Sequence, residues 1–147
     1  MSRFQTLYDQ AVDVLKEMEE SVPSIDFSLL TYADGRILST TLREEVDQEF
    51  IACAETMAFC ISSNLSNLLT GGKIEKLVIS GKDGAILIQG VGRHTILSVA
   101  IKKGTDIKKV VNSIAKYHAE LEKIEENFET LLSQYYSPSS TFSTSAV

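Results

Sequence analysis

The chain has 147 residues, 44% of them hydrophobic and 23% charged, with a formal net charge of −6. That length suits one domain with a substantial core, and the balance is that of a globular protein. The negative charge argues against non-specific nucleic-acid binding and against an anionic membrane surface.

Met1 to Glu20 lacks the basic start and unbroken apolar run of a signal peptide, and a cytoplasmic location is expected. Arg3 to Glu20 sets Phe4, Leu7, Ala11, Val14, Leu15 and Met18 at helical spacing. Its back face is charged, with Asp9, Asp13, Lys16, Glu17 and Glu20, and Pro23 ends the helix. Ile25 to Tyr32 is rich in strand formers and closes on Asp34-Gly35, a hairpin signal; Arg36 to Thr41 is the returning strand. Leu42 to Val46 links to the next element.

Asp47 to Leu69 reads as a helix of about six turns, capped by Asp47 and stopped by Gly71-Gly72. Its polar face is missing. Phe50, Ala54, Met57, Ile61, Leu65 and Leu68 line one side; Ala52, Thr56, Phe59, Ser63 and Ser66 line the other, with Cys53 and Cys60 on its edge. Between Phe50 and Leu69 the only charge is Glu55, whereas an ordinary surface helix carries charge over half its circumference. The pattern implies burial on two sides, one against the chain's own sheet and one against something else. Glu55 and the serines and asparagines near Asn64 argue against a membrane span. Cys53 and Cys60 lie about 10.5 Å apart along the axis, too far for a bridge, and are expected to be buried reduced thiols.

Three apolar runs follow at strand length: Ile74 to Ser80, Ala85 to Val91 and Thr95 to Ile101. Gly81 to Gly84 and Gly92 to His94 separate them with turn compositions, so an antiparallel meander is expected. The middle runs do not alternate with polar residues, which predicts a sheet covered on both faces. The last helix starts at Thr105 or Asp106 and carries the stripe Ile107, Val110, Val111, Ile114, His118, Leu121, Ile124, Phe128, Leu131. Reaching Gln134, it spans about 45 Å, so its end is expected to project or to pack on a partner. Residues 1–134 are thus expected to form the domain. The Ser/Thr-rich stretch 135–147 reads as a disordered tail.

The segment from Ile25 to Leu38, with its Asp34-Gly35 turn, resembles the opening hairpin of the roadblock / dynein light chain (roadblock/LC7) domain. The small-residue central helix, the strand Glu75 to Gly81, the hairpin Ala85 to Ile101 and the helix from Ile107 resemble its remaining pieces in order, over roughly residues 4 to 124. The resemblance implies an α+β, roadblock/profilin-like fold of order α-β-β-α-β-β-β-α, with a five-stranded antiparallel sheet sandwiched between helices. It also implies a dimer through the central helix and third strand. Combined with the two-sided helix, it assigns the interface to Phe50, Ala52, Cys53, Thr56, Phe59, Cys60, Ser63, Leu77 and Ile79. The partner copy would be identical or a paralogue.

No catalytic constellation is apparent in the sequence. There is no GxxxxGK[ST] phosphate loop and no nucleophile elbow, and His94 and His118 lack ligand neighbours at metal spacing. No cofactor or metal is expected. Asp34 and Asp83 read as turn residues, and Arg36, Arg43 and Arg93 as solvated arginines before any arginine finger. Two function classes remain: a non-catalytic scaffold that binds a small Ras-like GTPase, as the resemblance implies, and a small-molecule sensor. A sensor needs polar groups aimed into an apolar core, for which Gln89 and Ser98 are the candidates. An intrinsic hydrolase is a distant third.

Overall fold

A computed structural model describes residues 2–136. The elements are α1 (Arg3–Ser21), β1 (Ile25–Tyr32), β2 (Ile37–Thr40), α2 (Gln48–Thr70), β3 (Lys76–Ser80), β4 (Gly84–Val91), β5 (Thr95–Lys102), α3 (Ile107–Ile114), a 3-10 turn (Ala115–Tyr117) and α4 (His118–Tyr135). The strands form one antiparallel sheet in the order β2-β1-β5-β4-β3, with the expected meander at β3-β4-β5. The β1–β5 pairing joins the amino-terminal hairpin to the meander and puts β5 at the centre of the sheet.

Most of the core lies on one face. The apolar stripe of α1 buries Leu7, Ala11, Leu15 and Met18 against Leu30, Leu97, Val99 and Leu87 of the strands. Val110, Ile114, Leu121, Ile124 and Phe128 of α3 and α4 complete this layer. Among the described residues, the opposite face is covered by α2 alone. Asp47 caps α2, its side chain accepting from the Phe50 N–H at 3.1 Å, and Gly71 ends it at φ 72°. That left-handed turn is one that glycine adopts without a Cβ clash.

Two expectations are corrected. The long last helix is interrupted: a 3-10 turn at Ala115–Tyr117 separates α3 from α4. The apolar stripe does not reveal this break, because one tighter turn shifts helical phase only slightly. Contacts from other elements meet the chain there, Ser21 Oγ to Tyr117 Oη at 2.7 Å and Gln89 Nε2 to His118 Nε2 at 3.0 Å. Nor does the helix end project. Arg3 donates to Gln134 Oε1 at 3.1 Å, and the Phe4 ring meets Phe128 and Tyr135 edge-on at 6.1 and 5.9 Å. Thus α4 packs on α1 of the same chain. Tyr135 closes α4, while residues 137–147 of the expected tail lie outside the described residues.

The sheet is covered on both faces only in part. Val78 of β3 stays exposed on the α1 side of the sheet, and Ile79 of β3 and Ile86 of β4 stay exposed on the α2 side.

Candidate functional site

The site built by α2 and the β3 edge is apolar and open. Phe50, Met57, Ile61, Leu65 and Leu68 recur along α2 and are 68%, 57%, 63%, 54% and 82% exposed. Such values for five large apolar side chains in one row are those of a surface awaiting a partner. Beside them, β3 is the last strand of the sheet among the described residues, with its outer edge unpaired there and with Ile79 open to solvent.

The faces of α2 are therefore the reverse of the expectation. Ala52 and Thr56, assigned to the partner, are buried in the protomer at 0% and 7% exposure. Phe59 is half-buried, its ring end 3.9 Å from where a Cβ on Gly90 would sit, and Ser63 is half-buried too. Small side chains let the helix settle close to the sheet, and the large ones are left outside. Of the other residues in the expected interface, Phe50, Cys53, Cys60 and Ile79 are exposed and Leu77 is half-buried. Cys53 and Cys60 are free exposed thiols, which corrects their expected burial.

Under the first half of α2 lies a cavity of ≈ 300 Å³, walled by Phe27, Leu29, Phe50, Ala54, Ala58, Ile79, Ile86, Ile88 and Ala100. The one charged group in its lining is Glu55. That carboxyl is buried and accepts hydrogen bonds from the Thr31 hydroxyl at 2.9 Å and from the Ser98 hydroxyl. Burial pushes its pKa up to about 7, and the two hydroxyl donors restrain the rise. In the sequence Glu55 stands out only as the one charge between Phe50 and Leu69. The signal that could have found it was there: a single carboxylate with no cation within a turn must be solvated or held by neutral donors.

A second polar cluster holds the opposite end of the sheet. Glu125 of α4 is buried and accepts from the backbone N–H groups of Arg93 and His94 at 2.9 and 2.8 Å and from the Thr95 hydroxyl at 2.5 Å. Gly92 is required beneath it: φ is +70°, and a Cβ there would come within 2.6 Å of the carboxylate. One turn on, Glu129 accepts from the Tyr32 hydroxyl at 2.6 Å and pairs with His94 Nδ1 at 3.0 Å. The first contact holds the Tyr32 phenol up at about 12 and Glu129 below the usual carboxylate range. Arg36 stacks over Tyr32 and Phe128 and pairs with Asp34 at 2.7 Å. These groups satisfy one another and tie two hairpin turns to α4.

Gln89 and Ser98 do not converge. Ser98 faces Glu55 under α2, and Gln89 faces His118 on the other side of the sheet. Among the described residues no three His, Cys, Asp or Glu side chains gather as a metal site, and no helix is long and apolar enough to cross a membrane.

A protein-family model, the Roadblock/LC7 domain, matches residues 11–101, well over half of the chain. The chain is similar to a structure described as MglB with tetrameric arrangement, at 20% identity and a TM-score of 0.71, covering 82% of this chain and 92% of that one. A Roadblock/LC7 domain from Streptomyces avermitilis is similar at 15% identity and a TM-score of 0.69, over 75% and 92%. Profilin IB of Acanthamoeba castellanii shares the architecture at 11% identity and a TM-score of 0.51, over 74% and 94%. No curated protein matches the sequence.

Proposed function

The chain belongs to the Roadblock/LC7 domain family, and from that premise we propose that it is a non-catalytic dimeric scaffold for a small Ras-like GTPase, acting on the GTPase's nucleotide cycle in the cytoplasm. The observation that carries the reading is the uncharged outward row of α2 beside the open β3 edge. Two copies meeting there would bury Phe50, Met57, Ile61, Leu65 and Leu68 and join their sheets through Leu77 and Ile79. Cys53, Cys60, Phe59 and Ser63 would flank that contact, while Ala52 and Thr56 would support it from within each protomer. The second copy is identical or a paralogue. The doubled sheet offers a broad rigid platform, and rigid surfaces bind with less ordering cost. Nucleic acid and the membrane interior are not among its partners.

The experiment is affinity capture with the Ras-like GTPases of its own cell, each loaded with GDP or a GTP analogue, alongside light scattering at tens of micromolar. A dimer that retains at least one GTPase supports the reading. A stable monomer, or binding to none of them, overturns it. A second reading, a small-molecule sensor, is favoured by one observation, the ≈ 300 Å³ cavity under α2. Thermal shift against metabolite and nucleotide libraries separates the two.

A further inference from the structure

The cavity under α2 opens onto the same face that the dimer reading covers. Phe50, Ala54, Ile79 and Ile86 line it, and Phe50, Ile79 and Ile86 are also exposed to solvent. A second copy laid on the outward row of α2 would close the mouth and exclude water from the one carboxyl inside.

Nothing in the cavity wall of the protomer can neutralise that carboxyl except a proton. From β1 and β5 the hydroxyls of Thr31 and Ser98 face Glu55, and the rest of the cavity wall, from β1, β3, β4, β5, α2 and Leu42, is without charge. No lysine, arginine, histidine or second carboxyl is in the described lining. α2 of the incoming copy contains no lysine, arginine or histidine. Lys76 of β3 pairs in register with Gln89 and so lies on the sheet face turned away from Glu55. Both hydroxyls suit either state, since they donate to a carboxylate and can accept from a carboxylic acid.

We propose that self-association of this chain is linked to protonation of Glu55, so that the dimer tightens as pH falls. The inference rests on the dimer reading above and adds its regulation. The direction follows from linkage: closing the cavity penalises the ionised carboxylate, so the dimer binds protons more strongly than the free protomer. The free protomer already holds Glu55 at about 7, which puts the response in the physiological range.

Sedimentation velocity on the full chain and on Glu55→Gln, at about pH 8.5, 7 and 6, tests it. The unmodified chain should show a dissociation constant that falls about tenfold or more from the highest pH to the lowest, because up to one proton per protomer is taken up on association. Glu55→Gln, neutral throughout, should stay within about threefold across the same range. A second measurement needs no variant: heats of dilution of the unmodified dimer in two buffers of different ionisation enthalpy should reveal proton release on dissociation at about pH 8. A dimer that releases no proton, or a Glu55→Gln dimer with the same pH dependence as the unmodified chain, overturns the proton linkage and leaves the dimer reading standing. A monomer at every pH overturns both.

Discussion

Two buried carboxylates show opposite uses of the same side chain. Glu125 is ringed by backbone donors and a hydroxyl, and it works as a clamp between α4 and the β4–β5 turn. Glu125→Ala strips the acceptor from three donors at once, and the expected loss is about 2–3 kcal/mol, read as a lower urea midpoint at unchanged slope. Glu55 instead sits over a largely apolar cavity, and its raised pKa has a stability consequence of its own. Its folded value of about 7 lies above the unfolded value of 4.5. Between those values the unfolded chain has released a proton that the native state still holds. Stability therefore falls as pH rises through that window and is level above it, by at most about 3 kcal/mol. Urea unfolding at low protein concentration should show the Glu55→Gln variant losing much less stability than the unmodified chain between about pH 5 and about pH 8. Equal losses would show that Glu55 is not the group responsible. Glu129 acts in the other direction: with its pKa lowered by Tyr32, its contribution is present above the unfolded value and is lost as pH falls through the folded one.

At the scale of the element, α2 was legible in its limits and in its oddity. Asp47, Gly71 and the single charge are plain in the chain, and the structure has the cap, the stop and the buried carboxyl there. Which side faces inward was not legible. Periodicity distinguishes two faces but cannot say which of two uncharged faces meets the sheet. Side-chain size decided it: Ala52 and Thr56 allow close approach, and the Thr56 hydroxyl spends its hydrogen bond on the Ala52 carbonyl at 2.7 Å. The faces separate by mutation. Met57→Asp should leave the helical circular dichroism unchanged and abolish the dimer, because its charge is solvated in the protomer and unpaired in the interface. Ala52→Arg should unfold the protomer, since a long cation has no room or partner beneath the helix. If Met57→Asp still dimerises, the outward row is not the interface. The interrupted last helix had a similar ambiguity. Its stripe continues across Ala115 to Tyr117 with no proline or glycine, so only contacts with Ser21 and Gln89 mark the break.

For the whole molecule, the proposed platform acts by surface and not by inserted chemistry. Arg36 is already engaged: it is bound to Asp34 and stacked on Tyr32 and Phe128. Arg36→Ala, Arg43→Ala and Arg93→Ala, tested singly, should each leave single-turnover GTP hydrolysis by the bound GTPase within a few-fold of the unmodified complex. A loss of about a thousandfold from one of them, with binding intact, would identify an arginine finger and overturn the non-catalytic reading. Ending the chain after Tyr136 should leave the melting temperature within about a degree or two, as for a segment with few buried contacts. A larger drop would mean that residues 137–147 dock on the body.

The sequence by itself determined the element order, the turn positions and the family, because these follow from local periodicity, caps and the residues that tolerate tight turns. The strand runs match the observed strands to within two residues at either end. Tertiary structure decided what local patterns leave degenerate. It set which face of α2 is buried, where α4 lies, and which polar groups meet. Glu55 and Ser98 are 43 residues apart, and Glu125 and Thr95 are 30. Such pairs form only when strand pairing and helix packing close long loops, and no periodicity in a single chain encodes that partner choice.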